Sequence, residues 1–85
     1  MNRNMPMINM IGTGQRIMQL RCELGLTVRD LQRVFGFATP QAIYKWQQGV
    51  AMPTIDNMVV LSTLFDVPID DILVLEESSS VVFSA

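Results

Sequence analysis

Two helix starts and two helix stops follow one another within residues 27–49, TVRDLQRVFGFATPQAIYKWQQG. Each start has a threonine whose hydroxyl can accept a hydrogen bond from the first turn, and each stop is a glycine, which readily adopts the left-handed conformation that ends many helices. In chain order, these residues are Thr27 with Asp30, Gly36, Thr39 with Pro40, and Gly49. The segment predicts two short helices joined by a tight turn, and no other feature of the chain restricts the fold as strongly.

Three further helices are predicted outside this segment, and no stretch shows the sustained alternation of a strand. Apolar residues at helical spacing place the first helix at about residues 14–24. A fourth helix begins at Thr54 and is nearly apolar all round, so we expect it to be the central and most buried element. Pro68 opens a short fifth helix with two acids in its first turn, where the helix dipole favours anions. The chain is therefore expected to be all-α, a compact bundle of five helices.

Composition excludes several classes of function. A chain of 85 residues, 49% hydrophobic and 16% charged, has room for one small globular domain. It has no histidine and one cysteine, Cys22, so it lacks the commonest general base and metal ligand and cannot form a zinc site. The sequence GTG at residues 12–14 is too short for a phosphate-binding loop. We expect no enzymatic activity, no metal and no cofactor.

The expected location is the cytoplasm. A single cysteine cannot form an internal disulfide and suits a reducing compartment. No apolar run approaches the roughly 18 to 20 residues needed to span a bilayer, so no membrane association is expected. The opening MNRNMPMINM carries one arginine and no continuous apolar stretch, which is not the pattern of a signal peptide.

The net charge of −2 hides an uneven distribution. Residues 1–50 hold all six basic residues and only two acids, Glu23 and Asp30, which gives +4. Residues 51–85 hold six acids and no base, which gives −6, and the two parts sum to −2. The basic half is compatible with a polyanionic partner, but a charge this modest is equally compatible with none.

The predicted helix at residues 40–48 has two distinct faces. Ala42, Ile43 and Trp46 form an apolar face at spacings of three and four. The opposite face can bind nucleic acid, since glutamine can bind adenine through two hydrogen bonds and lysine can bind guanine or phosphate. Its members are Gln41, Tyr44, Lys45 and Gln48. Such residues also occur on any solvent-exposed helix, so this face alone does not decide between the two interpretations.

Together with its neighbours, this helix resembles the helix-turn-helix of the Cro/repressor (Xre-type) family of DNA-binding proteins. The resemblance covers about residues 10–75. It is carried by GQRIMQLRCELGLT for the first helix and its exit, TVRDLQRVFG for the second, TPQAIYKWQQG for the third, and MPTIDNMVVLSTLFDVPIDDIL for the last two. The resemblance implies a five-helix, lambda-repressor-like bundle in which helices 2 and 3 form the helix-turn-helix.

The resemblance also implies double-stranded DNA as the partner and assigns roles to single residues. Gln41, Tyr44 and Lys45 would contact bases in the major groove. Contacts to the DNA backbone would come from helix 1, from the start of helix 2 and from both ends of helix 3, because helix N-termini attract anions. These residues are Arg16, Thr27, Val28, Arg29, Thr39 and Gln48. The implied core residues are Ile17, Leu20, Leu31, Ile43, Trp46, Met58, Leu61 and Ile72.

Departures from the family pattern bear on these contacts. Between Gly36 and Trp46 the chain has one residue more than is usual, so the turn is longer. Helix 2 carries Gln32 where a small alanine usually allows a close approach to helix 3. Gln47 replaces a glutamate that usually pairs with an arginine of helix 1, for which Arg16 is the expected partner here. A neutral Gln47 would leave that arginine with an uncompensated positive charge.

Two functions are compatible with these observations. The first is a sequence-specific transcriptional regulator, such as a repressor, that binds a two-fold operator as a homodimer and self-associates through helix 5 and the tail. The alternative is a protein-interaction module, such as an antitoxin-like partner or an adaptor, that binds a protein through its acidic second half or tail. In either function, residues 1–9 are expected to form an N-terminal arm, residues 10–75 the helix-turn-helix domain, and residues 76–85 a short C-terminal tail.

Overall fold

Five helices and one two-stranded sheet make up the part of the chain that the structure describes. The computed structural model describes the backbone of residues 5–78 and the side chains of residues 6–76. The elements are β1 (Met5–Ile8), α1 (Met10–Glu23), α2 (Val28–Phe35), α3 (Gln41–Gln48), α4 (Ile55–Phe65), α5 (Ile69–Ile72) and β2 (Leu75–Ser78). The predicted class, a predominantly α-helical bundle of five helices, is confirmed, and the sheet is an addition to it.

Every helix contributes buried apolar side chains to one core. All eight predicted core residues are buried, so this prediction is confirmed, and Phe65 joins them. The core consists of Ile17 and Leu20 of α1, Leu31 of α2, Ile43 and Trp46 of α3, Met58, Leu61 and Phe65 of α4, and Ile72 of α5. Each side chain of this size stabilises the fold by about 1.5–3 kcal/mol when it is fully removed from water, so a core of this extent can hold a short chain together.

The predicted signals at the ends of α2 and at the start of α4 are confirmed. Thr27 and Asp30 form the reciprocal capping box at the start of α2. Gly36 ends α2 with a φ of +68°, in the left-handed region that favours glycine. The hydroxyl of Thr54 accepts a hydrogen bond from the N–H of Asn57 at 3.2 Å and caps α4.

The first helix begins earlier than predicted, at Met10 instead of about residue 14. The side chain of Asn9 accepts a hydrogen bond from the N–H of Gly12 at 2.8 Å and caps the helix there. Glycines within the first turn disfavour a helix locally. In this structure the Asn9 cap and the packing of α1 on α3 outweigh that preference.

The third helix begins one residue later than predicted. Pro40 was expected at the first helical position, but its carbonyl accepts the first bond of the helix, from the N–H of Tyr44 at 3.1 Å, and it is therefore the N-cap residue. The hydroxyl of Thr39 accepts from the N–H of Gln41 at 3.4 Å, which is longer than an ordinary hydrogen bond.

The prediction that α4 is the most buried element is wrong. Its inner side carries Met58, Leu61 and Phe65 into the core, whereas Ile55 is 77% exposed and Val59 is 51% exposed. An apolar residue on every side of a helix is typical of a helix that is covered on every side. In this chain the outer side of α4 faces solvent and includes these two apolar residues.

The strand pair, which the sequence analysis did not predict, is anchored to α1. β1 and β2 run antiparallel, with Ile8 opposite Leu75. The fully buried hydroxyl of Thr13 accepts from the N–H of Val74 at 2.9 Å and donates to the carbonyl of Val74 at 3.4 Å. The N–H of Asn9 donates to the same carbonyl at 2.8 Å. These bonds hold the residue that leads into β2 against the start of α1.

The pairing joins the described parts of the predicted arm, residues 1–9, and of the predicted tail, residues 76–85. Residues 1–4 and 79–85 lie outside the described residues, and the division of the chain at these boundaries stays a prediction. Between residues 5 and 78, no helix has both the length and the apolar character required to cross a membrane.

Candidate nucleic-acid interface

The two predicted faces of α3 are separated in the structure. Ile43 is fully buried and Trp46 is 4% exposed, while Ala42 is half-buried against the core. The opposite side, called here the outer face of α3, is exposed and consists of Gln41, Tyr44, Lys45 and Gln48. Amide, hydroxyl and ammonium groups can bond to the acceptors that bases present in the major groove. One side of α3 is therefore held by the core, and the other is accessible to a ligand.

The second half of α3 lies against α1 at a separation that requires glycine. A Cβ atom on Gly14 would overlap the backbone oxygen of Trp46 and lie 2.7 Å from that of Gln47. A Cβ atom on Gly49 would lie 2.6 Å from the Cα of Ile11. These neighbours are backbone atoms, so they can give way only if a whole helix moves. The contact fixes the orientation in which α3 presents its outer face.

The start of α2 is fixed by reciprocal hydrogen bonds. The N–H of Asp30 donates to the Thr27 hydroxyl at 3.0 Å, and the N–H of Thr27 donates to the Asp30 carboxylate at 2.8 Å. These bonds with the backbone and side chain of Thr27, together with the guanidinium of Arg33 at 3.8 Å, lower the pKa of Asp30 below its ordinary value. The first turn of α2 is therefore well defined at neutral pH.

The structure brings Thr27, Val28 and Arg29 together at this helix N-terminus. Within the described residues, the N–H groups of Val28 and Arg29 have no hydrogen-bond acceptor, as is usual for the first positions of a helix. Such groups, at the positive end of the helix dipole, attract phosphate oxygens. The side chain of Val28 offers no donor, so any contact at that position would have to come from its backbone.

The turn between α2 and α3 is held by Gln32 and by an aromatic cluster. The carbonyl of Gln32 accepts from the N–H of Phe37 at 3.1 Å, and its side-chain amide donates to the carbonyls of Phe37 and Ala38 at 3.2 and 3.3 Å. The Phe37 ring stacks on Phe35 with centroids 5.2 Å apart and meets Trp46 edge to face at 5.8 Å. Gln32 thus bonds to the turn between α2 and α3 through both its backbone and its side chain.

The expected pairing of Arg16 with Gln47 is wrong. Gln47 accepts instead from Nε of Arg21 at 2.9 Å, and the same guanidinium donates to the carbonyl of Leu26 at 2.8 Å. Arg16 donates through Nε to the carbonyl of Asp71 at 2.7 Å. Arg21 follows Gly14 by about two helical turns and therefore lies on the side of α1 that faces the end of α3, whereas Arg16 lies on another side.

Arg16 is consequently separated from the other predicted contact residues. It lines an open groove of about 650 Å³ between α1 and α5, together with Asp70 and Asp71. Thr39, by contrast, lies two residues before the first residue of α3 and is exposed. Two carboxylates in the groove make it a less favourable place for a phosphate than the start of α2.

Sequence reasoning did not predict the hydrogen bonds of three residues that position the interface. They are Arg21, which joins α1 to α3, Thr13, which joins α1 to the residue before β2, and Gln32, which bonds to the turn. Only Gln32 had a signal in the sequence, since it stood out as a large polar residue at a site expected to be small. Arginine on a helix and threonine near its start are too common to identify partners far along the chain.

Comparisons with known proteins agree with this geometry. A family model described as helix-turn-helix matches residues 17–72, more than half of the chain. The fold resembles that of the restriction-modification controller protein C.AhdI from Aeromonas hydrophila, with a TM-score of 0.66 and 22% identity over 75% of this chain and 96% of that one.

Two structures of the DNA-binding domain of BldD are also similar. One has a TM-score of 0.65 and 17% identity over 76% of this chain and 93% of that chain. The other, from S. venezulae, has a TM-score of 0.64 and 17% identity over 75% of this chain and 94% of that chain. At such identities the likeness shows a shared fold. A search of curated proteins finds no significant sequence match.

Proposed function

Because the chain belongs to the helix-turn-helix family of the Cro/repressor (Xre) type, we propose that it is a transcriptional regulator that binds double-stranded DNA at specific sequences. In this proposal α3 lies in the major groove, and Gln41, Tyr44 and Lys45 contact base edges. The observation that carries the proposal is the accessibility of the outer face of α3 on a helix whose other side is fixed by the core and by α1.

Phosphate contacts flank this helix. The N-terminus of α2 contributes the hydroxyl of Thr27, the free N–H groups of Val28 and Arg29, and the exposed Arg29 side chain. Thr39 and Gln48 contact phosphates at the two ends of α3. Arg16 contributes only through the guanidinium N–H groups that are not engaged with the Asp71 carbonyl, so we expect it to be the weakest of these contacts.

The regulator acts as a homodimer in the cytoplasm, and repression is the proposed sense of its action. Two-fold symmetry suits a protein that presents one α3 per subunit to half-sites about one helical turn apart. The exposed apolar residues Ile55 and Val59 on α4 support self-association, because an apolar surface is stabilised when a second copy covers it. The surface predicted from the sequence, α5 and the tail, completes the proposed contact.

DNA selection tests this proposal. Purified protein is used to enrich duplexes from a randomised pool, and fluorescence anisotropy then compares the enriched duplex with a scrambled duplex of the same composition. The wild type is expected to bind the enriched duplex more tightly. If it enriches no sequence and binds neither duplex even at low salt, the proposal is wrong.

Two substitutions on the outer face of α3 separate base contacts from phosphate contacts. Gln41→Ala is expected to lose about 1–3 kcal/mol of discrimination against the wrong base at one position of the site. Lys45→Ala is expected to weaken binding to all sequences and to reduce the slope of log K against log salt by about 1. Gln15→Ala, an exposed glutamine of α1 in the groove with Asp70 and Asp71, is the matched control and should change neither quantity.

A second function, a protein-interaction module, is favoured by the surface of α4. Its exposed apolar residues lie in the half of the chain that carries six acids and no base. A basic, amphipathic partner would suit that surface. Affinity purification that recovers a stoichiometric partner, with no DNA bound by the protein or the complex, would favour this function over DNA binding.

A further inference from the structure

The side chain of Gln32 forms two hydrogen bonds to the turn between α2 and α3. It is half-buried on α2, and its Nε2 atom donates to two successive carbonyls, those of Phe37 at 3.2 Å and Ala38 at 3.3 Å. An amide nitrogen carries two hydrogens, so one can be directed to each oxygen. Because the carbonyl of Gln32 also accepts from the N–H of Phe37, one residue binds this part of the turn from both backbone and side chain.

The turn leads directly into α3. Only Thr39 and Pro40 separate Ala38 from the first residue of that helix. Phe37 also contacts α3 from the side, since its ring meets that of the buried Trp46 at 5.8 Å. A shift of the turn would therefore move the first half of α3, whereas the second half is already fixed against α1 by Gly14 and Gly49.

Base recognition is sensitive to such a shift. Hydrogen bonds weaken steeply when the donor–acceptor distance or angle leaves a narrow range. Gln41, Tyr44 and Lys45 all lie in the first five positions of α3, which is the half of the helix that the turn positions. Phosphate contacts made by long, flexible side chains tolerate movement better than two-pronged contacts to one base.

We propose that Gln32 is a positioning residue for sequence recognition: by bonding to the carbonyls of Phe37 and Ala38 it fixes the longer turn, and thereby the placement of the first half of α3 in the major groove. The proposal rests on the proposed function of α3 in DNA binding. It assigns to Gln32 an effect on discrimination between sequences without any contact with DNA.

The test replaces Gln32 with methionine, which has a similar length and no donor. Gln15→Met is the control, because Gln15 is an exposed glutamine of α1, outside the turn. For each protein, anisotropy gives the affinity for the duplex enriched by the wild type and for a scrambled duplex, and thermal unfolding gives the Tm. Backbone amide chemical shifts of the free protein report the environment of residues 38–45.

Gln32→Met is expected to lose about tenfold in discrimination, comparable with the loss of one base contact, while its affinity for the scrambled duplex changes less than twofold. Its amide shifts should change through the first half of α3, and Gln15→Met should show none of these effects. Unchanged discrimination and unchanged shifts in a folded Gln32→Met protein would overturn the proposal.

If Gln32→Met does not fold, a variant with a smaller side chain at this position is tested instead. Gln32→Ala removes the same donor and favours the helix, and the same outcomes are expected of it. If both variants are unfolded, Gln32 is required for folding itself, and the proposal is wrong. If the wild type enriches no sequence, the proposed function of the chain fails, and the amide shifts of Gln32→Met still decide whether the residue positions α3.

Discussion

The side-chain oxygen of Gln47 lies 2.9 Å from Nε of Arg21, and this bond joins the last turn of α3 to α1. Arg21 also donates to the carbonyl of Leu26 at 2.8 Å, so one guanidinium connects α1, the segment before α2, and α3. Both side chains are half-buried. Since the planar guanidinium donates in fixed directions, the pair restricts how α1 and α3 can rotate against each other.

Replacing the neutral partner by a carboxylate should strengthen this bond. The bond is already strengthened by the charge of Arg21, and a carboxylate at residue 47 adds an ion pair at a half-buried position, so we expect Gln47→Glu to raise the free energy of unfolding by about 0.5–1 kcal/mol. Urea denaturation at pH 7 measures the free energy of unfolding of both proteins. Gln48→Glu is the control, because it places the same charge one residue later, on the exposed side of α3. Both carboxylates lie near the negative C-terminal end of the helix dipole, so both substitutions include that unfavourable interaction. Equal effects of the two substitutions would contradict the prediction.

The close contact between α1 and α3 predicts that Gly14→Ala is strongly destabilising. The new methyl group would meet the backbone oxygens of Trp46 and Gln47, which cannot rotate away, so the helices must separate at a cost of about 3 kcal/mol or more. Gly12→Ala is the control, because its nearest neighbours are the side chains of Val74 and Asn9 and because alanine favours the helix. Thermal unfolding should show the larger loss at Gly14, and similar losses at both glycines would refute this explanation.

The bundle could be predicted because its determinants are local. Capping residues, glycine stops and apolar spacing act within one or two turns, and they identified the helices. The family resemblance supplied the arrangement of the helices and the eight core positions, all of which are buried. The apolar pattern of α4 led to a wrong prediction of its burial. A helix with apolar residues on every side can be covered by its own chain or can expose part of its surface, and the pattern is the same in both cases.

The remaining features depend on contacts between distant parts of the chain. β1 and β2 have four residues each and lie at opposite ends of the described chain, so neither shows a recognisable alternation. Their position is set by the hydroxyl of Thr13, 61 residues from its partner Val74. Likewise, whether Arg16 or Arg21 meets Gln47 depends on the rotation of α1, which no local pattern reveals. The base and phosphate contacts stay predictions.

The capping box predicts a pH dependence of stability. The pKa of Asp30 is lowered in the folded protein, chiefly by its bonds with Thr27, whereas an unperturbed aspartate has a pKa of about 3.9. Its contribution is therefore present above about pH 4 and is lost as the pH falls through the lowered folded pKa. We expect Asp30→Asn to be less stable than wild type at pH 7 and the gap to narrow below about pH 4. Chemical denaturation across pH 3–7 checks this, and a constant gap would exclude it.

The exposed apolar surface of α4 predicts how the proposed homodimer can be broken. Val59→Lys places a charge where Val59 is 51% exposed, so the free subunit should stay folded while the dimer loses affinity. Sedimentation velocity over a range of concentrations measures the shift. Leu24→Lys, a similarly exposed apolar residue after α1, is the control and should leave the dimer unchanged. A chain ending at Ser78 keeps β2 paired with β1 and tests the tail alone. A Val59→Lys protein that dimerises as tightly as wild type would place the contact elsewhere.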